Sequence, residues 1–166
     1  MTGVPDQGAQ PPLPLQGACR CGRLTLRVEA APYITSACHC RGCQRMTAGP
    51  YSLSALFPSD ALVVTGETVI GGLHGDQQQH HHCGHCLSWV FTHLPALPEI
   101  VNVRAPMFDD LSWFHPYLET STDEALPFAT TGAIRSYPSL PPTEDFPALM
   151  ADYARWSADP TEPARA

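Results

Sequence analysis

Seven cysteines gathered into three tight clusters restrict this chain more than any other feature of its sequence. Cys19 and Cys21 form C-x-C, Cys38, Cys40 and Cys43 form C-x-C-x-x-C, and Cys83 and Cys86 form C-x-x-C. In an extended segment residues two apart face the same way, so each C-x-C can turn two sulfurs toward one ion. A C-x-x-C turn does so by folding the chain around a metal. Seven ligands divide into four and three. The outer pairs, Cys19, Cys21, Cys83 and Cys86, are expected to close a tetrahedral structural zinc site. Cys38, Cys40 and Cys43 are expected to hold a second zinc with one position open to water or substrate, which is what a reactive zinc needs.

Other uses of the cysteines fit less well. An odd count argues against a disulfide framework. Buried thiols acting as small hydrophobes would be scattered. A redox C-x-x-C calls for a strand–helix–strand setting, and Cys83–Cys86 lies between strand-like runs. The serious rival is a second zinc that is also structural. It needs a fourth ligand, for which His39, His74, His80, His81, His82 and His85 are candidates.

The chain has 166 residues, 43% of them hydrophobic, enough for one domain with a core. Eighteen prolines favour turns and edges over long helices. Residues 1–16 read as a disordered Pro-rich tail, 17–157 as a single zinc domain, and 158–166 as a mobile end. "LTLRVE" and "YSLSALF" alternate like half-buried strands, "ALVVTGETVIGGL" reads as two short strands around Gly66, and "SWVFTHL" and "EIVNVRA" add two more. Near the end, Thr143 is expected to cap a helix that places Leu149, Tyr153 and Trp156 on one face. The fold class is therefore mainly β, with antiparallel sheets and a short C-terminal helix.

The formal net charge is -7, and the basic residues are all arginine. No basic stripe is available for nucleic acid, and no apolar run is long enough to span a membrane. No signal peptide is seen near the start, so the expected compartment is the cytoplasm. Within the first two cysteine clusters and their flanks lie Arg20, Arg23, Arg27, Arg41 and Arg45, against one acid, Glu29. Arg41 and Arg45 are the candidates to hold carboxylates of a small anionic thiol by forked hydrogen bonds.

The ordered set "GACRCGRLTLRV", "CHCRGCQRMTAG" and "CGHC" resembles the glutathione-dependent formaldehyde-activating enzyme family, which includes centromere protein V. The resemblance runs from about Gly17 to Asp110. It implies an Mss4-like zinc fold of three antiparallel sheets. Cys19, Cys21, Cys83 and Cys86 would hold the structural zinc, and Cys38, Cys40 and Cys43 the catalytic one, the division reached from spacing. It also implies carbon–sulfur lyase chemistry, the reversible addition of a thiol such as glutathione to an aldehyde such as formaldehyde.

Two departures stand out. Where the family places an aromatic residue before the last C-x-x-C and a glycine after it, this chain has His82 and Leu87. Gly22 is kept in the first knuckle, so Leu87 must find another backbone geometry or accept strain. In "VRAPMFDD", Asp109 and Asp110 match the family's acids but its Gly-rich turn is missing. His39, between two metal cysteines, is expected to turn its ring away from their sulfurs, into packing or a backbone hydrogen bond. Two other function classes stay open: a zinc-stabilised interaction module without turnover, and a zinc–thiolate stress sensor.

Overall fold

Alternating residues in short segments set the architecture of this computed structural model, which describes residues 10–73 and 77–159. The chain divides into two compact units. The first comprises Pro12–Pro32 and Ser54–Leu111. Here β1 (Leu15–Ala18), β2 (Thr25–Val28) and β5 (Leu62–Thr65) form a small antiparallel sheet. Leu24, Leu26 and Val28 are buried while Thr25 and Arg27 are exposed, as the period of two requires. Gly17 lets β1 approach the backbone of Met107 and Phe108, where a Cβ would collide with the Met107 carbonyl.

The same unit holds a second antiparallel sheet. Its order is β4 (Ser52–Pro58), β9 (Ile100–Arg104), β8 (Trp89–His93), β7 (Gln79–Cys83) and β6 (Thr68–Gly71). Phe57, Val90, Val101 and Val103 are fully buried in it. Strand β7 carries the sequence "QHHHC", whose polar run hides any alternation, and a bulge interrupts its register between His81 and His82.

The second unit is built from residues 33–53 and 112–159, and the chain crosses between the units within β4. It contains β3 (Ile34–Cys38), α1 (Arg41–Thr47), β10 (Leu118–Thr120), β11 (Arg135–Ser136) and α2 (Phe146–Ala158). Strand β10 is parallel to both β3 and β11, with Thr120 opposite Cys38. The fold is thus mainly β with antiparallel strands as expected, and parallel pairing enters at β10. Long connections before and after β10 make parallel pairing possible.

Helix α2 buries Leu149, Tyr153 and Trp156, and the rings of Tyr153 and Trp156 pack on Tyr117. Thr143 does not cap it. Thr143 opens a 3-10 turn, and α2 begins at Phe146 with Pro147 in its first turn, where a missing N–H costs nothing. Strand β1 starts at Leu15, inside the stretch read as tail. Residues 1–9 and 160–166 of the two expected tails, and His74, lie outside the described residues. Among the described residues, no helix is long and apolar enough to cross a membrane.

Candidate metal centres

Two turns of the first unit build the four-cysteine set. Cys19 to Gly22 is a tight turn rather than an extended C-x-C, closed by the Gly22 N–H to the Cys19 carbonyl at 2.9 Å. Gly22 takes φ +75° there. Cys83 to Leu87 forms the matching turn, with the Leu87 N–H on the Cys83 carbonyl at 3.0 Å. Leu87 accepts the strained geometry at φ 58° and leaves its side chain exposed. Both turns lift backbone N–H groups toward sulfur, as in the 3.4 Å bond from Leu24 N to Cys19 Sγ.

The sulfurs of Cys19, Cys21, Cys83 and Cys86 all lie within 4.8 Å of one another. Cys19 and Cys21 are 3.5 Å apart and Cys21 and Cys83 3.9 Å, with every cysteine a free thiol. A tetrahedral zinc with bonds of about 2.3 Å separates its sulfurs by roughly 3.8 Å. The thiols do not share charge evenly. The Ser88 hydroxyl and backbone pull Cys86 down to about 5. The Arg23 N–H favours the Cys21 thiolate, but desolvation and the neighbouring thiols push it up to about 11. Burial opposes ionisation of Cys19, and hydrogen bonds from Leu24 and Cys21 outweigh it.

Cys38, Cys40 and Cys43 form the second set, in the other unit, again with all sulfurs within 4.8 Å. Cys38 ends β3, Cys40 is the N-cap of α1 and Cys43 lies in its first turn. The C-x-x-C half is therefore a capped helix start rather than an isolated turn. Cys40 Sγ accepts the Cys43 N–H at 3.4 Å. Gln44 anchors the helix from beneath, donating to the carbonyls of His39 at 2.6 Å and Glu124 at 2.9 Å. A hydrogen bond from Cys43, helped by the Thr120 hydroxyl, holds Cys38 down at about 5 despite burial. That same bond, burial and the Cys38 charge push Cys43 far up, against a hydrogen bond with the Ser52 hydroxyl. Crowded thiols that cannot all ionise by themselves are the donor set a divalent cation satisfies. Ser52 and Thr120, both buried, were not legible as site residues, because isolated hydroxyls in strands carry no sequence signal.

Among the described residues no His, Asp or Glu joins either sulfur set. The His39 ring turns away from the sulfurs, but its bond is to a carboxylate rather than the backbone: Nε2 lies 3.2 Å from Glu119 Oε2. Thr131 donates to the same oxygen at 2.6 Å. Burial opposes ionisation of Glu119, yet hydrogen bonds from Thr131, Ser136 and His39 keep its carboxyl below the usual range. His80 bonds Thr92, His81 stacks on Phe91, His82 contacts the His80 carbonyl and His85 is exposed in its knuckle. Arg41 and Arg45 lie one turn apart on α1, both exposed. Arg27 pairs with Glu29 at 2.8 Å, and Asp109 and Asp110 are exposed.

A model of the glutathione-dependent formaldehyde-activating enzyme family matches residues 14–124, more than half of the chain. The chain belongs to that family. Both cysteine sets of this formaldehyde-activating enzyme family member fall inside the matched span. No curated protein matches it. Among solved structures, a crystal structure of a Rhodobacter sphaeroides protein is similar at 20% identity, covering 57% of this chain and 87% of that one, with a TM-score of 0.48.

Proposed function

We propose that this family member is a zinc-dependent carbon–sulfur lyase, adding a small thiol such as glutathione to an aldehyde such as formaldehyde in a reversible step. One observation carries the reading: three sulfurs converge with no fourth protein ligand among the described residues, beside a separate set of four. On this reading each chain holds two zinc ions. Cys19, Cys21, Cys83 and Cys86 keep the structural one, and Cys38, Cys40 and Cys43 the reactive one.

Bound there, zinc supplies a Lewis acid that lowers the pKa of a thiol and polarises a carbonyl. The chain's own residues prepare the site. Hydroxyls of Thr120 and Ser52 draw charge from Cys38 and Cys43, and the Cys43 N–H fixes Cys40. His39, tied to Glu119, holds the backbone between Cys38 and Cys40 in place. Arg41 and Arg45 hold carboxylates of the thiol substrate. In the reaction the sulfur–carbon bond forms as the carbonyl π bond opens. The proton lost by the thiol is balanced by one gained on the oxygen, so the hemithioacetal contains every atom of both reactants.

A cobalt-substituted absorption titration tests this. Glutathione should change the cobalt spectrum saturably, and Cys40→Ala should abolish the change. Two fully coordinated sites that ignore thiol would sink the lyase reading in favour of an interaction module.

A further inference from the structure

Helix α1 presents a second surface besides its cysteines. Arg41, Gln44, Arg45 and Ala48 recur at helical spacing and share one face, whereas Cys40 and Cys43 share another. Against the arginine face lies a groove of about 480 Å³, lined also by Pro50, Leu126 and Phe128. It is an open surface groove rather than an enclosed cavity. All of its lining belongs to one unit.

The lining has two chemistries side by side. Arg41 spends one guanidinium N–H on Gln44 Oε1 at 2.9 Å. A neighbouring acid, Glu124, has a carboxylate oxygen engaged by the Arg41 backbone N–H at 2.8 Å. Among the described residues no ion pair engages Arg45. A guanidinium offers five N–H donors, so most of the donors of both arginines remain for a ligand. Phe128 stands 75% exposed beside them and presents an aromatic face to the groove. In a chain of net charge -7 this is a local cationic patch with an apolar wall.

We infer that the groove binds a small carboxylate with an apolar or aromatic body, the carboxylate on Arg45 and Arg41 and the body against Phe128 and Leu126. The inference deepens the proposed anion-holding role of the two arginines and rests on it, but not on the metal chemistry. It narrows the ligand class: a bare polar acid would satisfy the guanidiniums and leave Phe128 in water.

The test is an NMR titration of the zinc-loaded protein with phenylacetate and, separately, acetate. Phenylacetate should bind saturably, with shifts centred on Arg45 and Phe128, at least about tenfold tighter than acetate, as burial of one ring requires. Arg45→Gln and Phe128→Ser, both at exposed positions, should each weaken it by about tenfold. Equal binding of the two acids, or binding untouched by Phe128→Ser, would overturn the inference whatever the metal site does. Groove binding that persists while glutathione leaves the cobalt spectrum unchanged would support the groove and remove the lyase reading.

Discussion

Gly22 and Leu87 hold matching positions in the two turns that converge on the four-cysteine set, yet only one of them is a glycine. A left-handed backbone costs an L-residue roughly 1–2 kcal/mol. The Leu87 side chain is 64% exposed and offers little burial in return. Leu87→Gly should therefore stabilise the metal-loaded protein by about 1 kcal/mol, less than the full strain because glycine also loosens the unfolded chain. Urea unfolding measures it, and a lower midpoint in the variant would contradict the strain argument. Glu119 gives a second case. Its pKa is depressed in the folded state, so its stabilisation is complete above the ordinary carboxylate pKa and fades as pH falls through the lowered value. Glu119→Gln should cost about 1–2 kcal/mol at pH 7, and the gap from the parent protein should narrow only once pH falls below the ordinary value of 4.5. Taking the difference between the two chains cancels the shared acid sensitivity of the thiolates.

Among the elements, α1 does the most to shape the three-cysteine set and was the least legible. The strands of "LTLRVE" and "EIVNVRA" were readable because alternation reports burial on one face, whereas in "YSLSALF" it is Ser52 and Ser54 that are buried and in "SWVFTHL" four successive residues are. The segment "CHCRGCQRMT" carries no apolar stripe. Its helix is held by the N-cap sulfur of Cys40 and by buried Gln44, neither of which resembles an ordinary helix signal. Strand β7 was hidden in a histidine run, and β10 owes its place to neighbours distant in sequence. The cysteine clusters themselves were legible, since the spacing within each is local. Gln44→Leu should test the anchor. Loss of two hydrogen bonds, leaving the carbonyl of buried His39 unpaired, should cost about 2 kcal/mol. Zinc content should fall from two toward one per chain, measured by metal analysis, while the four-sulfur set keeps its ion.

At the scale of the whole molecule, each sulfur set belongs to a single unit. Removing one ion should therefore leave the other bound. Cys40→Ala is expected to lose one zinc and keep a cooperative melt. Cys21→Ala should destabilise the protein strongly, since closing a four-thiolate site contributes folding free energy directly. Thermal melts with zinc analysis decide this, and equal destabilisation by both variants would count against a structural and a reactive site.

The two sets also differ in how far apart their members lie along the chain. Cys38, Cys40 and Cys43 are neighbours, whereas Cys21 meets Cys83 across 62 positions. During synthesis the first set is complete as soon as one short segment leaves the ribosome. The second must wait for its distant half and bear the loop-closure entropy of everything between. A nascent chain thus carries all three thiols of one set well before it carries the second half of the other.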